Sequence, residues 1–432
     1  MAMPSQAVPR IVVVGAGFAG FHAARSLSRR LGGAAELVVV NSTDYFLYLP
    51  LLPEVAAGVL DPRRVSVSLT ATLPGVRLRI GKVDVVDLNT RQVSYCDPEG
   101  SSHHLGYDRL VLAVGSVNKL LPIPGVAAHA HGFRGIAEAL YLRDHVIRQV
   151  ELAAATSDPH LRAARCTFVV VGAGYTGTEV AAQGVLLTAE LVRGDRELAG
   201  QPMRWLLLDL AQRVLPELDA RLSATAERVL RERGVQVLTR TSVDVATNEG
   251  VRLSNGEFVA TRSLIWCVGV RPDPLVDLLG LPLVKGRIAV DAQLRVADHP
   301  GVFACGDAAA VPDPARPGQV TPMTAQHAVR QGALAARNVA ASLGHGHPAP
   351  YRHRDLGFLV DLGGRDAAAN PLHVALSGLP AKAVTRSYHL LAMPGNRLRT
   401  AVDWVLDAVL PRQRVQLGLV RASAVPLDTS SR

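Results

Sequence analysis

Residues 10–20 read RIVVVGAGFAG, and this stretch decides the fold of the chain. Its β-branched run predicts a buried parallel strand, which is followed by Gly15, Gly17 and Gly20 at G-x-G-x-x-G spacing. The first glycine permits a tight turn, the second lets a pyrophosphate approach the backbone, and the third lets the next helix pack on the strand. The first amides of that helix would face the phosphates. The stretch therefore predicts a dinucleotide site, and a bare strand-to-helix turn is the alternative.

The composition indicates a globular protein with several domains. The chain has 432 residues, of which 48% are hydrophobic, enough for two or three sizeable cores. The net charge of +9 favours an anionic partner such as nucleic acid, a membrane surface or a phosphorylated cofactor. Aromatic residues are only 4% of the chain and are not interleaved with basic runs. A stacking platform for single-stranded nucleic acid is therefore not expected, and we predict no nucleic-acid partner.

The cysteines and the N-terminus bear on the expected chemistry and location of the protein. Cys96, Cys166, Cys267 and Cys305 form no C-x-x-C pair, which argues against a zinc site and against a local redox disulfide. We therefore expect no metal site. The N-terminus lacks the pattern of a secretory signal, which favours a location on the cytosolic side. No window approaches the ~20 apolar residues of a spanning helix, so any membrane contact is expected to be peripheral.

The opening stretch is repeated later in the chain. Residues 167–179 read TFVVVGAGYTGTE and place Gly172, Gly174 and Gly177 at the same spacing. Each copy begins a segment that ends in an apolar run with Val-Gly, LVLAVGS at 110–116 and LIWCVGV at 264–270.

The two segments have nearly the same length. From Gly15 to Gly115 the chain advances 100 residues, and from Gly172 to Gly269 it advances 97. Two units of matching length with matching ends are unlikely to arise by chance. The sequence therefore predicts two dinucleotide-binding domains.

The residues at the ends of the second strands differ between the two units. A dinucleotide fold is expected to carry a ribose-binding acid there, and the first unit has Asn41, with Asp44 close enough to substitute. The second unit has Asp209, which favours NADH because a carboxylate repels the 2′-phosphate of NADPH. Arg213 lies four residues on and could favour that phosphate.

Two further acids follow glycine turns. Glu179 lies two residues past Gly177, where a carboxylate either serves the helix dipole or lies beside a nicotinamide. Asp307, in the run VFACGDAA, could bond a polyol such as a flavin ribityl chain.

Two segments are candidates to border a flat ring. Residues 45–58 form an apolar, Pro-interrupted loop and short helix that could lie over a ring or simply pack in the core. Residues 321–332 predict a helix that carries Gln326, Arg330 and Gln331. Gln326 and Arg330 share one face, which could equally be a solvent face.

Strand patterns predict a small meander in each unit. Residues 83–88, 92–96 and 109–114 predict an antiparallel meander in the first. In the second, Asn255-Gly256 is a hairpin signal.

The C-terminal region has a different pattern. Residues 357–362 and 374–376 predict strands, and residues 397–410 predict a strongly amphipathic helix that Pro411 ends. Residues 380–421 carry seven Lys or Arg and two Asp, which suits a helix lying in a membrane surface. Asp403 and Asp407 on the polar face are unfavourable for anionic lipid. Dimer packing through the same helix is the alternative.

The ordered motifs resemble a known family. GAGFAG, AVGS, GAGYTGTE, WCVGVRP, ACGDAA, TAQHA and DWVLD with PRQRVQL occur in the order found in the two-dinucleotide-domain flavoprotein disulfide-reductase superfamily. Within it, the chain resembles the type II NADH:quinone oxidoreductases. The chain differs from the family pattern at Asn41, in the loop 45–53, and at Arg330, which stands where the family carries a second glutamine.

The resemblance implies an α/β fold with two Rossmann-like domains. FAD would bind a discontinuous domain at residues 1–120 and 288–345, and NADH an inserted domain at 121–287. Residues 346–432 would form a C-terminal α+β region for the membrane surface or a dimer.

The resemblance also implies roles for particular residues. Glu179, Gln326 and Arg330 would be catalytic, and Gln326, Arg330 and Gln331 would meet the quinone. The residues expected to bind the cofactors FAD and NADH are Gly15, Gly17, Phe18, Ala19, Gly20, Asn41, Leu51, Val83, Ala113, Gly115, Gly306, Asp307, Gly172, Gly174, Tyr175, Gly177, Asp209, Val268 and Gly269.

The activity implied is that of a respiratory FAD-dependent NADH:quinone oxidoreductase that pumps no protons. Hydride would pass from NADH to flavin N5, and two electrons would then pass to a quinone. The expected location is peripheral, on the cytoplasmic face of the cell membrane, and a homodimer is a further expectation. The alternatives are a soluble NADH-dependent reductase of ferredoxin or a specialised acceptor, and a slow redox-sensing flavoprotein. Reductases that need paired cysteines near the flavin are disfavoured.

Overall fold

Helices and strands alternate along most of the chain in the computed structural model, which describes residues 8–428. The helices are α1 (Phe18–Leu31), α2 (Leu52–Ala56), α3 (Pro62–Val65), α4 (Leu69–Thr72), α5 (Val126–His129), α6 (Ile136–Ala154), α7 (Pro159–Arg165), α8 (Tyr175–Leu191), α9 (Ala220–Glu232), α10 (Leu275–Leu278), α11 (Ala325–Ser342), α12 (Gly378–Ala392) and α13 (Arg397–Val409).

The strands are mostly short. They are β1 (Arg10–Val14), β2 (Glu36–Asn41), β3 (Tyr45–Leu47), β4 (Ser66–Ser68), β5 (Val76–Ile80), β6 (Lys82–Asp87), β7 (Gln92–Cys96), β8 (Ser102–Gly106), β9 (Arg109–Leu112), β10 (Ser116–Asn118), β11 (Ala130–Gly132), β12 (Thr167–Val171), β13 (Arg204–Asp209), β14 (Val235–Thr239), β15 (Val243–Ala246), β16 (Gly250–Leu253), β17 (Phe258–Ala260), β18 (Ser263–Trp266), β19 (Val270–Pro272), β20 (Leu283–Val284), β21 (Arg287–Ala289), β22 (Arg295–Val296), β23 (His299–Ala304), β24 (Ala309–Ala310), β25 (Leu359–Asp361), β26 (Ala367–Ala369) and β27 (Leu376–Ser377).

The chain divides into two units, each discontinuous in sequence. The first comprises the chain up to Leu47, Ser66–Val117 and Val270–Arg354; the second comprises Tyr48–Val65, Asn118–Gly269 and the chain from Asp355 onwards. The α/β class with two Rossmann-like sheets is confirmed. The predicted three-part division into cofactor and interface domains remains a prediction.

The first unit is built on a six-stranded sheet in the order β22-β23-β9-β1-β2-β5. The central strand β1 pairs in parallel with β2 and with β9. Ile11, Val12 and Val13 are completely or almost completely buried, because a central strand of a parallel sheet is covered on both faces. The predicted strand at residues 11–14 is confirmed.

One predicted strand of the first unit belongs to a different sheet. Residues 109–114 were expected to complete an antiparallel meander, but the third strand of that meander is β8, which follows β6 and β7. β9 instead pairs in parallel with β1. Leu110, Val111 and Leu112 are all fully buried, and a strand that is apolar on both faces fits only the interior of the large sheet.

Helix α11 packs along α1 in the first unit. At their closest approach a Cβ on Gly332 would lie 2.1 Å from the carbonyl oxygen of Ala19, so only glycine fits there. Because Ala19 is in the first turn of α1, this contact fixes α11 beside the glycine turn that starts α1.

The second unit contains a five-stranded sheet in the order β11-β18-β12-β13-β14. Its parallel pairs β12 with β13 and β12 with β18 match β1 with β2 and β1 with β9 of the first unit. A separate antiparallel meander, β15-β16-β17, carries the predicted Asn255-Gly256 hairpin turn. Gly256 has a φ of +87°, a conformation that favours glycine.

The C-terminal part of the second unit has one more sheet and two helices. Strands β25, β26 and β27 are antiparallel, and α12 packs against them. The predicted helix at 397–410 is observed as α13. The sequence-based prediction had omitted β26 and α12. Within the described residues, none of the helices has the length and apolar character that crossing a bilayer requires.

Candidate functional site

The first glycine turn has three glycines with three different environments. Gly15 has a φ of +90°, and a Cβ there would lie 2.4 Å from the carbonyl oxygen of Ala113. A Cβ on Gly20 would lie 1.8 Å from the carbonyl oxygen of Gly15. Around Gly17, by contrast, no atom lies within 4 Å of that position. Gly15 and Gly20 therefore allow the helix to pack closely against the strand. Gly17 faces open space, which a bound pyrophosphate requires.

The second turn repeats this geometry in the second unit. Gly172 has a φ of +101°, and its Cβ would lie 2.4 Å from the carbonyl oxygen of Cys267. A Cβ on Gly177 would lie 1.8 Å from the carbonyl oxygen of Gly172, and Gly174 again faces open space. The two turns thus present the same cradle, one in each unit.

Both turns lead into a helix that begins without a side-chain cap. The N-cap residues are Gly17 for α1 and Gly174 for α8, and neither has a side chain to accept a backbone amide. Helix α9, by contrast, is capped by Asp219, whose carboxylate accepts the Arg221 amide. A helix start with no side-chain acceptor and with open space before it is a suitable phosphate site.

Asn41 and Asp209 occupy equivalent positions in the two units. The Asn41 Oδ1 accepts the Ala16 amide at 2.9 Å, and the Asp209 Oδ2 accepts the Ala173 amide at 2.6 Å. Each side chain therefore ties the end of the second strand to the glycine turn. Arg213 is directed elsewhere, because its guanidinium donates to the carbonyls of Pro216 and Leu218.

The segment that carries Asp307 lies beside the first glycine turn, within the first unit. Gly306 has a φ of +73°, and a Cβ there would lie 2.8 Å from the Ala19 Cβ. The half-buried Asp307 accepts the Ser116 hydroxyl at 2.5 Å. The unit thus brings the first helix turn, the Ser116 strand and the Asp307 carboxylate together, an arrangement that fits a dinucleotide with a polyol chain such as FAD.

Gln326 and Arg330 lie together on α11. The Arg330 guanidinium donates to the Gln326 carbonyl at 3.1 Å and to its side-chain oxygen at 3.3 Å, and also to the Arg354 carbonyl at 2.9 Å. Gln331 is different, because it is fully buried and its Oε1 accepts the Gly306 amide at 2.8 Å. Gln331, which was predicted to meet the quinone, therefore holds the Asp307 segment in place, and its contact with a quinone remains a prediction.

His327 on α11 is buried beside aromatic and imidazole groups. Its Nδ1 lies 2.7 Å from the Tyr351 hydroxyl, and its ring stacks on His353 with 4.0 Å between centroids. Burial lowers the pKa of His327 to about 4, so it is neutral at physiological pH.

The half-buried Glu179 lies beside the buried charges of Asp361 and Lys382 in the second unit. Its Oε1 accepts the Asp361 amide at 2.9 Å. The Asp361 carboxylate in turn accepts the buried Lys382 ammonium at 2.6 Å with both oxygens. Burial, and then the charges of Asp361 and Glu54, raise the pKa of Glu179 well above its ordinary value.

Three residues of this group were missed by sequence reasoning. Glu54, Asp361 and Lys382 are each less than 10% exposed. A signal for Glu54 was present, since it is a lone acid in the apolar run LLPEVAA. Lys382 carries no comparable signal because its partner Asp361 is distant in sequence.

The other predicted cofactor residues are distributed over both units. Phe18 packs edge-on against Phe46, and the Tyr175 ring stacks on Phe358. Val83, Ala113 and Gly115 lie in the first unit, and Leu51, Val268 and Gly269 lie in the second.

The cysteines and the candidate metal ligands can be located within the described residues. All four cysteines are free. Burial raises the pKa of both Cys267 and Cys305 to about 12, so neither thiol is ionised at neutral pH. Within residues 8–428, no group of three or more His, Cys, Asp or Glu is arranged to hold a metal ion.

Comparison of the sequence with known proteins identifies the family of this chain. Residues 9–332 match the family model described as pyridine nucleotide-disulphide oxidoreductase. The type II NADH:quinone oxidoreductases Ndh and NdhA of Mycobacterium tuberculosis are 29% and 30% identical, and the alignments cover 94% and 95% of this chain and 89% of each relative. The demethylphylloquinone reductase NdbB of Synechocystis is 29% identical over 93% of this chain and 96% of its own.

A solved structure agrees on the fold. NDH2 of Plasmodium falciparum, in complex with NADH, superposes with a TM-score of 0.86 at 17% identity, covering 94% of this chain and 100% of that one. The chain therefore belongs to the pyridine nucleotide-disulphide oxidoreductase family and, within it, to the type II NADH:quinone oxidoreductases.

Proposed function

We propose that this protein is an FAD-dependent NADH:quinone oxidoreductase. The observation that carries the proposal is the duplicated glycine turn, which gives each unit one phosphate cradle with the same dimensions. Two cradles suit an enzyme that holds two dinucleotides, and relatives that are named NADH:quinone oxidoreductases match nearly the whole chain.

FAD is assigned to the first unit. Gly17 leaves space for the pyrophosphate, Asn41 offers an amide to the ribose, and Asp307 offers a carboxylate to the ribityl hydroxyls. Bound there, FAD would supply the chemistry that takes up a hydride from NADH and passes two electrons to a quinone. The remaining proposed contacts in this unit are Gly15, Phe18, Ala19, Gly20, Val83, Ala113, Gly115 and Gly306.

NADH is assigned to the second unit. Gly174 provides the phosphate cradle, and Asp209 would accept the hydroxyls of the adenosine ribose. Arg213 is engaged with backbone carbonyls and is poorly placed to recruit a 2′-phosphate, which favours NADH over NADPH. The other proposed contacts are Gly172, Tyr175, Gly177, Val268 and Gly269.

Three polar side chains are assigned to the reaction itself. Glu179, which follows the second turn, would hold a proton near the nicotinamide because its pKa is raised by burial. Gln326 and Arg330, which are hydrogen bonded to each other, would bind the quinone oxygens. Gln331 would act by holding the Gly306 amide in place.

Helix α13 is assigned to the membrane surface. Its exposed face is apolar, with Leu398, Val405 and Val409 each more than 60% exposed, while Trp404 on the other side is buried. An exposed apolar stripe on a short amphipathic helix fits the headgroup region of a bilayer. Quinones partition into that bilayer, so a peripheral attachment on its cytoplasmic face would bring enzyme and substrate together.

The two aspartates of α13 were expected to repel anionic lipid, but in the structure each one is paired with an arginine. Asp403 pairs with Arg64 at 2.9 Å, and Asp407 pairs with Arg412 at 2.8 Å. Their negative charges are therefore balanced within the protein. This favours attachment to a membrane over dimer packing through the same helix.

Flavin content and half-reactions test the proposal. Freshly purified protein should show flavin absorbance, NADH should bleach it in a stopped-flow experiment, and menadione should restore it. Absence of flavin, or bleaching by NADPH alone, would contradict the proposal. Reoxidation only by a ferredoxin would support the soluble reductase, and bleaching with negligible turnover would support the redox sensor.

A further inference from the structure

A cavity of about 430 Å³ lies along α11 in the first unit, and three arginines are among the residues that line it. They are Arg330 and Arg337 of α11 and Arg352 of the segment that follows this helix. The volume is within the range of pockets that take small organic ligands. Because a guanidinium is charged at every physiological pH, the wall of the cavity carries three positive charges.

The sequence around the cavity supplies no acid to offset these charges. Residues 314–354 contain five arginines and neither aspartate nor glutamate. Helix α1, which packs along α11, has three more arginines and no acid. The charge of Asp313 acts on Tyr351, which lines the cavity, but Asp313 is already paired with Arg316 at 3.0 Å. The positive charge of the cavity is therefore available to a ligand.

The three arginines of the cavity are only partly engaged. None of them forms a salt bridge with another residue of the described range 8–428. Arg330 donates to neutral oxygen atoms, and Arg337 donates from Nε to the His347 carbonyl at 3.0 Å. Arg352 is exposed, and its guanidinium has no hydrogen-bond partner among the described residues. Since each guanidinium has five N–H groups, Arg337 and Arg352 can still bind a carboxylate, sulfonate or phosphate.

The wall of the cavity also has an apolar part. Leu334, Pro350 and Tyr351 contribute to it, and the Tyr351 hydroxyl is already hydrogen bonded to the His327 Nδ1 at 2.7 Å. An inorganic ion would leave this apolar surface uncovered. An aromatic ring with an acidic substituent fits better, because the ring can pack on the apolar side chains while the acid meets the arginines.

Arg330 belongs both to this cavity and to the proposed quinone site. It is hydrogen bonded to Gln326, the other residue that is proposed to bind the quinone oxygens. From Arg330 to Arg337 the helix advances seven residues, which is about 10 Å along its axis. That length is comparable to a two-ring quinone with one substituent. A quinone that meets Gln326 and Arg330 would therefore place a substituent beside Arg337 and Arg352.

We propose that the substrate of this protein is a quinone that carries an acidic group, and that Arg337 and Arg352 bind that group. This inference rests on the proposed function and names its substrate class. NADH and one proton from water convert the quinone to the quinol and NAD⁺. The C–H bond of NADH breaks, two electrons pass to the quinone, two O–H bonds form, and the acidic group is unchanged. Arg337 and Arg352 determine specificity, because they meet the substituent and not the reacting oxygens.

A para-naphthoquinone and its form sulfonated on the benzo ring test this substrate class. The measured quantity is the ratio of kcat/KM for the sulfonated quinone over the neutral one in steady-state NADH oxidation. Arg337→Gln and Arg352→Gln should each lower this ratio about tenfold, because a charge-assisted hydrogen bond to the sulfonate is lost. Between about 20 and 200 mM salt, kcat/KM for the sulfonated quinone should fall more than that for the neutral quinone.

Two control variants accompany these measurements. Arg352→Lys keeps the positive charge and should keep most of the wild-type ratio. Arg252→Gln removes an exposed arginine of β16, outside the cavity, and should leave the ratio as in wild type. Ratios in Arg337→Gln and Arg352→Gln that equal the wild-type ratio would overturn the inference while the proposed function stands. If neither quinone is reduced, the proposed function fails and the inference fails with it.

Binding in the absence of NADH separates recognition from turnover. In calorimetric titrations of the oxidised holoenzyme, the sulfonated quinone should bind wild type more tightly than the neutral quinone does. Its dissociation constant should rise about tenfold in Arg352→Gln. Equal affinity in wild type and Arg352→Gln would contradict the inference. Pyrophosphate tests another occupant: if it binds through Arg337 and Arg352 and the sulfonated quinone does not, the cavity takes an anion that is not a substrate, and the inference is wrong.

Discussion

At the scale of single residues, Asn41 and Asp209 occupy equivalent positions beside the two glycine turns. Both accept the amide of the alanine between the first two glycines of their turn. They differ in charge and in their second contact, since the Asn41 amide group donates to the Thr43 carbonyl whereas the other Asp209 oxygen accepts the Ala211 amide. A neutral amide suffices for the bond to the alanine amide, as Asn41 shows, so the proposed role of the negative charge of Asp209 is to select the nucleotide.

Asp209→Asn tests that selection. The proposed charge-assisted bonds to the ribose would be lost and the repulsion of a 2′-phosphate removed. The bond from the Ala173 amide can be kept, although the bond from the Ala211 amide is lost with the second oxygen. A charged hydrogen bond contributes about 1.5–3 kcal/mol, so the ratio of kcat/KM for NADH over NADPH should fall by roughly tenfold or more. Steady-state rates with both nucleotides measure it.

The reciprocal change provides the control. Asn41→Asp places the charge in the first turn and should leave the NADH to NADPH ratio as in wild type. An Asp209→Asn enzyme that discriminates as strongly as wild type would remove Asp209 from the nucleotide site.

Single residues also mark the limit of sequence reasoning. Glycines and strand-end acids could be predicted because their roles depend on the local backbone. Lys382 could not, since its ammonium is buried only because α12 packs beside the strand that ends in Asp361. The surroundings of Glu54 likewise depend on the packing of distant segments, because its hydrogen-bond partner Trp404 is 350 residues away in the chain.

At the scale of elements, most strand patterns predict strands that the structure has, but β26 is missed and β9 is paired wrongly. β9 was predicted as a strand, yet it was assigned to the meander because it follows the meander in sequence. Its burial on both faces places it next to β1. Strands that are consecutive in sequence usually pair with each other. A strand that is apolar on both faces, however, must lie in the interior of a sheet that is covered on both sides.

Helix α12 was overlooked for a related reason. Its sequence GLPAKAVTRSYHLLA has a proline near its start and a lysine and an arginine inside it. Charged residues in a helix are usually expected to face solvent. In the structure, however, Lys382 is buried against Asp361, and the Arg386 guanidinium lies over the Trp404 ring. The amphipathic pattern of α13 is regular, so that helix could be predicted within one residue of its end.

The exposed face of α13 is the element that vesicle binding can test. Val405→Asp combined with Val409→Asp puts two charges on the apolar stripe, and each lost valine burial is worth about 1.5 kcal/mol or more. Partition onto vesicles that contain anionic lipid should fall at least tenfold in flotation assays, with NADH oxidation by soluble acceptors retained.

Leu278→Asp is the matched control for that experiment. Leu278 is 74% exposed on α10, outside the proposed membrane face, and its replacement should leave vesicle binding unchanged. Equal vesicle binding by the double variant and wild type would contradict the membrane assignment. If the double variant instead changes from dimer to monomer in sedimentation, the dimer alternative is correct.

At the scale of the whole molecule, the duplicated turn explains why the fold class could be predicted. In each turn a Cβ on the first or the third glycine would lie only 2.4 Å or 1.8 Å from a carbonyl oxygen, so the same glycine spacing recurs. The C-terminal region has no such repeat. Its sheet and helices depend on contacts that form only when distant segments pack, and the sequence pattern was correspondingly less informative there.

The balance of buried histidines determines how the whole molecule responds to acid. Burial lowers the pKa of His22, His131, His327 and His389 to about 4, and that of His145 to about 3. Unfolded histidines bind protons below about pH 6.5, so between there and pH 4 the unfolded state takes up more protons. Glu54, whose pKa is raised, acts in the opposite direction over part of this range.

Thermal unfolding should therefore occur at a lower temperature at pH 5 than at pH 7. His145→Gln isolates one contribution, since the amide can still bond Ser263 while no longer titrating. Linkage gives a loss of about 2 kcal/mol between pH 7 and 5 for one such buried histidine, so the variant should respond less steeply to acid by that amount. His160→Gln, at an exposed site, should respond as wild type does. A midpoint that rises on acidification, or identical responses of His145→Gln and wild type, would show that these imidazoles are not held neutral by burial.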